Sequence, residues 1–274
     1  MATMIPSDNE EFRTEGEKAF FRFLQSVAKP DSHYTCWYLP DVSGNEPDFI
    51  LYCDDVGLVI FEVKDWALGQ ICEADPRQFT LDLGAKTERR NNPQLQAHDY
   101  CYSVKEKIQK DGHLITREPG FHGNPKIPIS YGVVFPNINK HEYVEKGFDK
   151  VIGSDKVFFW DDLHPQSDIC SDSSGQCFLK AIREMFPPRF AFKISGKELN
   201  HLKSILFPMV RIDLPPRAGE ERCRKDSDRL KVLDHHQEAQ AGMTKGGKMF
   251  FPPHAGSRSV ESKETRKSRR KEWE

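Results

Sequence analysis

Residues 47–64 read PDFILYCDDVGLVIFEVK and decide the fold of this chain. Two runs rich in β-branched and aromatic residues, 49–53 and 58–63, flank a short polar turn that closes on Gly57, and this pattern is typical of a β-hairpin. A three-residue loop over 55–57 places Gly57 at the left-handed position that such loops favour. We therefore predict two antiparallel strands joined by a tight turn.

The predicted register of this hairpin brings charged side chains together. Residues that face each other across a hairpin share one face of the sheet, and so do residues two apart on one strand. Asp48, Glu62 and Lys64 are then expected on the same face. The pairs in this register are Asp54 with Leu58, Ile50 with Glu62, and Asp48 with Lys64.

The second strand carries Glu62 and Lys64 among apolar residues on both of its faces, so both charges are predicted to be buried. Burying an ionised group is expensive unless the group is paired or bound to a metal ion. The spacing alone leaves two interpretations open. One is a structural salt bridge at the end of the sheet, and the other is a carboxylate pair that holds a metal ion.

The remaining elements complete an α/β pattern. Phe20, Leu24 and Val27 recur at helical spacing and predict a first helix over 15–28. Asn92 is a favourable N-cap with Pro93 behind it, so a second helix is predicted to begin there. This order predicts a mixed β-sheet flanked by helices. Other predicted elements are strands near 35–39, 129–135 and 156–160, one or two short strands within 69–83, and helices over 177–186 and 197–207.

The composition of the 274 residues limits the classes of protein. A formal net charge of −2 gives no overall basic character, so nucleic-acid binding must rest on a specific site. The seven cysteines, an odd number without a C-x-x-C pair, predict reduced thiols. Apolar runs such as 58–61 are too short to cross a bilayer, and the acidic N-terminus has no signal-peptide character. We expect a cytoplasmic protein with no membrane partner.

The composition changes from Pro215 onward. Charged residues crowd 215–241, which we interpret as a linker, while Gly, Lys, Ser and Arg dominate 242–274. The last segment has almost no periodic apolar pattern and cannot bury enough surface to offset the entropy of ordering. We therefore predict a disordered, basic C-terminal tail over 242–274.

Several short motifs in the first half of the chain resemble those of a nuclease family. Pro47-Asp48, followed by Glu62-Val63-Lys64, is similar to the PD-(D/E)XK nuclease superfamily. Gly16-Glu17 on the first helix and Asn92-Pro93 with Gln96 on the second extend the likeness, so that the order and gaps resemble the nuclease-related domain (NERD) family. The resemblance implies a restriction-endonuclease-like fold, with a NERD-like domain over 11–125 and the α/β core continuing over 126–214.

The same resemblance implies a metal-dependent active site. Asp48 and Glu62 would hold Mg²⁺, or Mn²⁺ in its place, with help from the backbone carbonyl of Val63. Lys64 would orient or activate the attacking water, and a carboxylate-held Mg²⁺ suits hydrolysis of the phosphodiester bonds of DNA. The implied catalytic set is Asp48, Glu62, Lys64, Glu17 and Gln96, and the implied metal set is Asp48, Glu62 and Val63.

Three other features of this region have ordinary structural alternatives. Thr14 and Glu17 fit a capping box at the start of the first helix, so Glu17 has a second explanation. Gln96 fits equally a solvated helix face. Lys86, Arg89 and Arg90 are either a plain charged loop, which we favour, or phosphate contacts near the site. The ten histidines show no zinc-site spacing, so no histidine is predicted to be a ligand.

Residues 233–239, LDHHQEA, resemble the adenine-reading Q-motif of superfamily 1 DNA helicases, to which NERD domains are often fused. No G-x-x-x-x-G-K-[ST] loop follows, so we expect no ATP site in this chain and a helicase only as a partner. Two functional hypotheses result. The first is a Mg²⁺-dependent nuclease acting on DNA, and the second is a non-catalytic module that uses the same fold to bind nucleic acid or a partner.

Overall fold

The structure is a computed structural model that describes residues 2–7 and 9–206. All of these residues fall in one compact unit. The predicted linker over 215–241, with its Q-motif-like stretch, and the predicted tail over 242–274 lie outside the described residues. No helix within the described ranges combines the length and apolarity needed to cross a membrane.

A six-stranded mixed sheet forms the centre of the fold, in the order β1-β2-β3-β4-β8-β9. Strands β2, β3 and β4 are antiparallel neighbours, whereas β8 runs parallel to both β4 and β9. A second sheet has the order β5-β6-β7. The strands are β1 Thr3–Ile5, β2 Tyr34–Tyr38, β3 Phe49–Cys53, β4 Gly57–Val63, β5 Ile71–Ala74, β6 Gln78–Asp82, β7 Thr87–Asn91, β8 Ile129–Phe135 and β9 Val157–Phe159.

Helices cover both faces of the central sheet, which confirms the predicted mixed α/β fold. Helices α1 and α5 pack on the face formed by the odd-numbered residues of β3 and β4. Helices α2 and α6 pack on the even-numbered face. The helices are α1 Glu15–Val27, α2 Pro93–Gln109, α3 Lys140–Glu145, α4 Trp160–Leu163, α5 Gln176–Met185 and α6 Gly196–Ile205.

Helix α1 begins where the sequence predicts and ends one residue early. The side chain of Thr14 caps its first turn by accepting a hydrogen bond from the backbone N–H of Glu17 (3.1 Å). The apolar stripe, with Phe20 fully buried, packs against the aromatic rings of Phe49 and Phe61 from the central sheet. This packing fixes α1 over the hairpin.

The hairpin exists, but its predicted register is wrong by two positions. Cys53 pairs with Gly57 and Ile50 pairs with Ile60, so the three-residue turn covers 54–56 rather than 55–57. Gly57 has the expected positive φ, 98°, but it is the first residue of β4. A Cβ there would lie 2.3 Å from the carbonyl oxygen of Pro128, so this glycine allows close packing beside β8.

The three-stranded sheet, β5-β6-β7, contains one strand, β7, that was not predicted from the sequence. Residues Thr87–Asn91 form β7 and pair with β6, so Arg89 and Arg90 lie on a strand and the favoured charged-loop interpretation is wrong. The physical reason is that most side chains of β7 are exposed, and the strand therefore lacks the alternating apolar pattern that reveals half-buried strands. Lys86 directly precedes this strand.

Candidate active site

The end of the hairpin gathers the charged side chains that the sequence singled out. A register shift of two keeps every side chain on its original face, because the side-chain period of a strand is two. Asp48, just before β3, accepts a hydrogen bond through Oδ2 from the backbone N–H of Val63 (2.7 Å). The ammonium of Lys64 donates to Oε1 of Glu62 at 2.5 Å. Asp48, Glu62 and Lys64 thus lie close together on the α2 side of the sheet.

Glu62 is the most informative member of this cluster. The residue is 2% exposed, and its Oε1 is paired with Lys64. Its second oxygen, Oε2, is buried and has no hydrogen-bond partner among the described residues. Buried carboxylate oxygens nearly always have partners, so the free lone pairs of Oε2 are available to a ligand. A cation is the chemically complementary ligand for such an oxygen.

Glu17 reaches the same region from α1. Its side chain accepts a hydrogen bond from the hydroxyl of Tyr38 at 2.5 Å and is 4% exposed. The backbone half of the capping interaction with Thr14 is present, but the carboxylate of Glu17 points inward to Tyr38. The inward orientation favours the site interpretation of Glu17 over the capping-box alternative.

Gly16 explains how α1 comes so close to the ends of the strands. A Cβ at this position would lie 2.7 Å from Cγ of Pro136 and 3.0 Å from Oδ1 of Asp65. Any larger residue would push the first turn of α1 away from the segments that follow β4 and β8. The Gly16-Glu17 pair therefore has a steric role beside the chemical one.

The electrostatics of the cluster show an excess of negative charge. Burial, followed by the charge of Glu62, raises the pKa of Asp48 to about 8. Burial also raises the pKa of Glu62, although the adjacent ammonium of Lys64 opposes this. The negative charge of Glu17 adds to both increases. Three carboxylates thus face one ammonium, and a bound cation would relieve the imbalance.

Helix α2 contributes the other wall of the site. Asn92 caps this helix through a hydrogen bond that its side-chain oxygen accepts from the backbone N–H of Gln94 (2.8 Å), and it also donates to the carbonyl of Pro76 (3.2 Å). One turn on, the amide of Gln96 donates to the hydroxyl of Tyr100 at 3.0 Å. Burial raises the pKa of Tyr100, and the negative charges of Glu62 and Asp48 add to this effect, so this ring lies near the carboxylates.

A cleft of about 420 Å³ opens beside the cluster, between the end of β4 and strands β6 and β7. The ammonium of Lys64 lies in its wall and stands 5.9 Å from the centre of the Trp66 ring. Gln96 lines the same cleft, so it does more than form part of a solvated helix face. The residues lining the cleft are Lys64, Asp65, Trp66, Gln70, Leu81, Leu83, Arg90, Asn91 and Gln96.

The sequence analysis missed three residues that shape this site: Tyr38, Tyr100 and Trp66. Tyr100 carried a usable signal, because it lies four residues after Gln96 and so shares its helix face. Trp66 follows Lys64 by two residues. Tyr38 gave no signal, because its partner Glu17 is 21 residues away and only the fold brings the two together.

Comparison with known families agrees with this geometry. Residues 13–136 match the family model of the nuclease-related domain, NERD. The match begins just before α1 and ends just after β8, so it includes all five predicted catalytic residues. This part of the chain is therefore similar to the nuclease-related domain. No curated protein and no solved structure matches the chain.

Proposed function

We propose that the nuclease-related domain is a Mg²⁺-dependent nuclease that hydrolyses phosphodiester bonds in DNA. The observation that carries the proposal is the unpartnered, buried Oε2 of Glu62, next to a second carboxylate and an ammonium. The ion pair with Lys64 satisfies only Oε1 of Glu62, so a structural salt bridge does not account for Oε2 or for Asp48.

The residues present suit a hard divalent cation. Asp48, Glu62 and the backbone carbonyl of Val63 offer only oxygen donors, which Mg²⁺ and Mn²⁺ prefer. When bound, the ion would neutralise charge on the phosphoryl oxygens and make water more acidic. The hydrogen bond from the N–H of Val63 fixes one oxygen of Asp48, which leaves the other oxygen of Asp48 and Oε2 of Glu62 for the ion.

Lys64 and its neighbours would act directly on the substrate and water. The side chain of Lys64 is 19% exposed, so the ammonium is held by Glu62 yet still reaches the cleft. There it would orient the attacking water and add positive charge beside the phosphate. Glu17 with Tyr38, and Gln96 with Tyr100, form two hydrogen-bonded pairs that would hold the site in position.

The cleft supports nucleic acid as the substrate class. Arg90 lies in its wall with Lys64, so a phosphate backbone that follows the cleft would meet two cationic side chains. Arg89 lies on the opposite face of β7, because neighbouring residues on a strand alternate.

The rival proposal is a non-catalytic module that binds nucleic acid or a partner through the same cleft. Two observations favour it: the chain has a net charge of −2, and Glu88 pairs with both Lys86 and Arg90. Local neutralisation of this kind weakens attraction to a polyanion. The retained carboxylate cluster is the reason that we place the enzyme first.

Two finer parts of the proposal rest on the sequence alone. A helicase partner is suggested by 233–239, which lie outside the described residues. A cytoplasmic location is suggested by the odd number of cysteines without a C-x-x-C pair.

The test is incubation of the full chain with mixed single- and double-stranded DNA and RNA, in Mg²⁺, in Mn²⁺ and in EDTA. The enzyme proposal expects DNA cleavage that EDTA abolishes. The Glu62→Gln variant should lose it, whereas Glu145→Gln, which removes a glutamate on α3 whose side chain is 73% exposed, should retain it. Equal cleavage in EDTA would refute the metal requirement. DNA binding without cleavage in any of these metals would favour the rival.

A further inference from the structure

A second group of potential ligands lies just after the C-terminal end of α2. The carboxylate of Asp111 contacts two imidazoles, with Nε2 of His201 at 2.5 Å from Oδ2 and Nδ1 of His113 at 3.3 Å from Oδ1. The centres of the two imidazole rings lie 5.0 Å apart. Asp111 and His201 are 90 residues apart in the chain, so the fold, and not local sequence, creates this group.

The spacing of the donor atoms fits a small transition-metal ion after a modest rearrangement. One ligand atom from each of the three residues lies within 4.8 Å of the others. Zinc bonds of about 2.0–2.1 Å in a tetrahedral site require donors about 3.3 Å apart. The side chain of His113 is 79% exposed and can rotate inward without disturbing the core. Two imidazoles and one carboxylate with an open fourth position are a donor set that Zn²⁺ accepts.

This group is separate from the acid cluster. Gln96 stands one turn inside α2, and Asp111 follows the end of the same helix. Thirteen residues separate Gln96 from Gln109, the last residue of the helix, and at about 1.5 Å per residue they put roughly 20 Å of helix between the two sites. The chemistry also differs, because imidazole nitrogens select Zn²⁺, Co²⁺ or Ni²⁺ whereas an all-oxygen site suits Mg²⁺.

We propose that Asp111, His113 and His201 form a zinc-type metal site that fastens α6 to the end of α2. Helix α6 packs on the even-numbered face of the sheet through the buried residues Leu202 and Leu206. A metal bridge between His201 and the 111–113 segment would add a long-range link to this packing. Such a link stabilises the folded state in proportion to metal occupancy.

The charged groups around the site permit a cation. Lys126 lies beside the group, where it donates to the carbonyl oxygen of His113 (3.0 Å) and to Oε1 of Glu198 (2.6 Å). Glu198 thus neutralises Lys126, and the carboxylate of Asp111 remains the anion that faces both imidazoles. A divalent ion would meet one carboxylate and two imidazole rings.

The test is titration of the full chain with Co²⁺, followed by visible absorption, and with Zn²⁺, followed by calorimetry. We expect one site that excess Mg²⁺ does not occupy. His113→Ala and His201→Ala should each weaken its affinity at least tenfold. Zn²⁺ at about a hundredfold excess over Kd should raise the Tm of the wild type by roughly 5–10 °C, and of neither variant.

Two control variants separate this site from other histidines. His122→Ala removes an exposed histidine from the same stretch of chain, and the double variant His235→Ala with His236→Ala removes the adjacent pair outside the described residues. Both should bind Co²⁺ as the wild type does. The proposal is overturned if Co²⁺ gives no absorption spectrum typical of nitrogen ligands. It is also overturned if His113→Ala, whose exposed side chain is not needed for folding, binds Co²⁺ with the affinity of the wild type.

Discussion

Replacing Asp48 by asparagine is expected to stabilise the metal-free protein while it abolishes catalysis. The carboxylate is 8% exposed and lies close to Glu62, and these surroundings raise its pKa to about 8 from the ordinary value of 3.8. Asparagine keeps an oxygen that can accept the hydrogen bond from the N–H of Val63. It removes the negative charge that the buried site disfavours.

The sign of the pH dependence follows from proton linkage. Below pH 3.8 Asp48 is protonated in both the folded and the unfolded states. As the pH rises toward about 8, the unfolded chain ionises while the folded protein keeps the proton, so the free energy of unfolding decreases. The slope is at most about 1.4 kcal/mol per pH unit. The Asp48→Asn variant lacks this decrease.

The magnitude can be worked out at pH 7. The interval from 3.8 to 7 corresponds to an upper limit of about 4 kcal/mol. Because about 4 kcal/mol is an upper limit, we expect a gain of about 2–3 kcal/mol, or a rise in Tm of roughly 5–10 °C. At pH 4 the gain should fall to less than about 1 kcal/mol.

The assay is denaturant unfolding in EDTA at pH 4, 5.5 and 7. The matched control is Asp99→Asn, whose side chain is 81% exposed and which should match the wild type at each pH. If Asp48→Asn were less stable than the wild type at pH 7, or more stable by the same amount at every pH, the reasoning about a strained carboxylate cluster would be wrong.

Three further predictions follow from single features of the structure. Gly57→Ala should lower the free energy of unfolding by about 3 kcal/mol or more, because a Cβ would clash with the carbonyl of Pro128 at a positive φ; denaturant titration checks this, and an unchanged midpoint contradicts it. Arg90→Ala should weaken DNA binding and reduce by about one the slope of log affinity against log salt concentration. A slope equal to that of the wild type would show that Arg90 does not contact the DNA. Mg²⁺ affinity should rise up to about tenfold per pH unit from pH 6 to 8, because binding displaces the proton of Asp48; calorimetry showing no pH dependence would contradict this.

Much of the fold was predictable because apolar periodicity records burial directly. Helix α1, helix α2 with its Asn92 cap, and strand β8 appear as the sequence predicts, since each has a buried face or a strong capping residue. Strand β7 has neither, and its partner β6 could not be inferred from a charged stretch. The predicted hairpin register was wrong because Gly57 packs closely against Pro128, a contact between residues distant in sequence.

The residues of the candidate site also fall into two groups, those that the local sequence could place and those that only the tertiary fold brings together. Asp48, Glu62 and Lys64 could be placed together because all three lie on one hairpin, and a register error of two does not change their face. Tyr38 and the Asp111–His201 contact could not, because each depends on segments that only the tertiary fold brings together. The prediction that no histidine is a ligand used local spacing, which does not detect a contact between residues 90 positions apart, and it stays untested.

The most direct measurement of the central claim is the rate of Mg²⁺-dependent DNA cleavage by Asp48→Asn beside that of the wild type. Because this variant is expected to be the more stable protein at pH 7, loss of activity cannot be assigned to unfolding. The account predicts a rate at least about a thousandfold lower, as expected when a metal-binding carboxylate is lost. Cleavage at the wild-type rate by folded Asp48→Asn would contradict it.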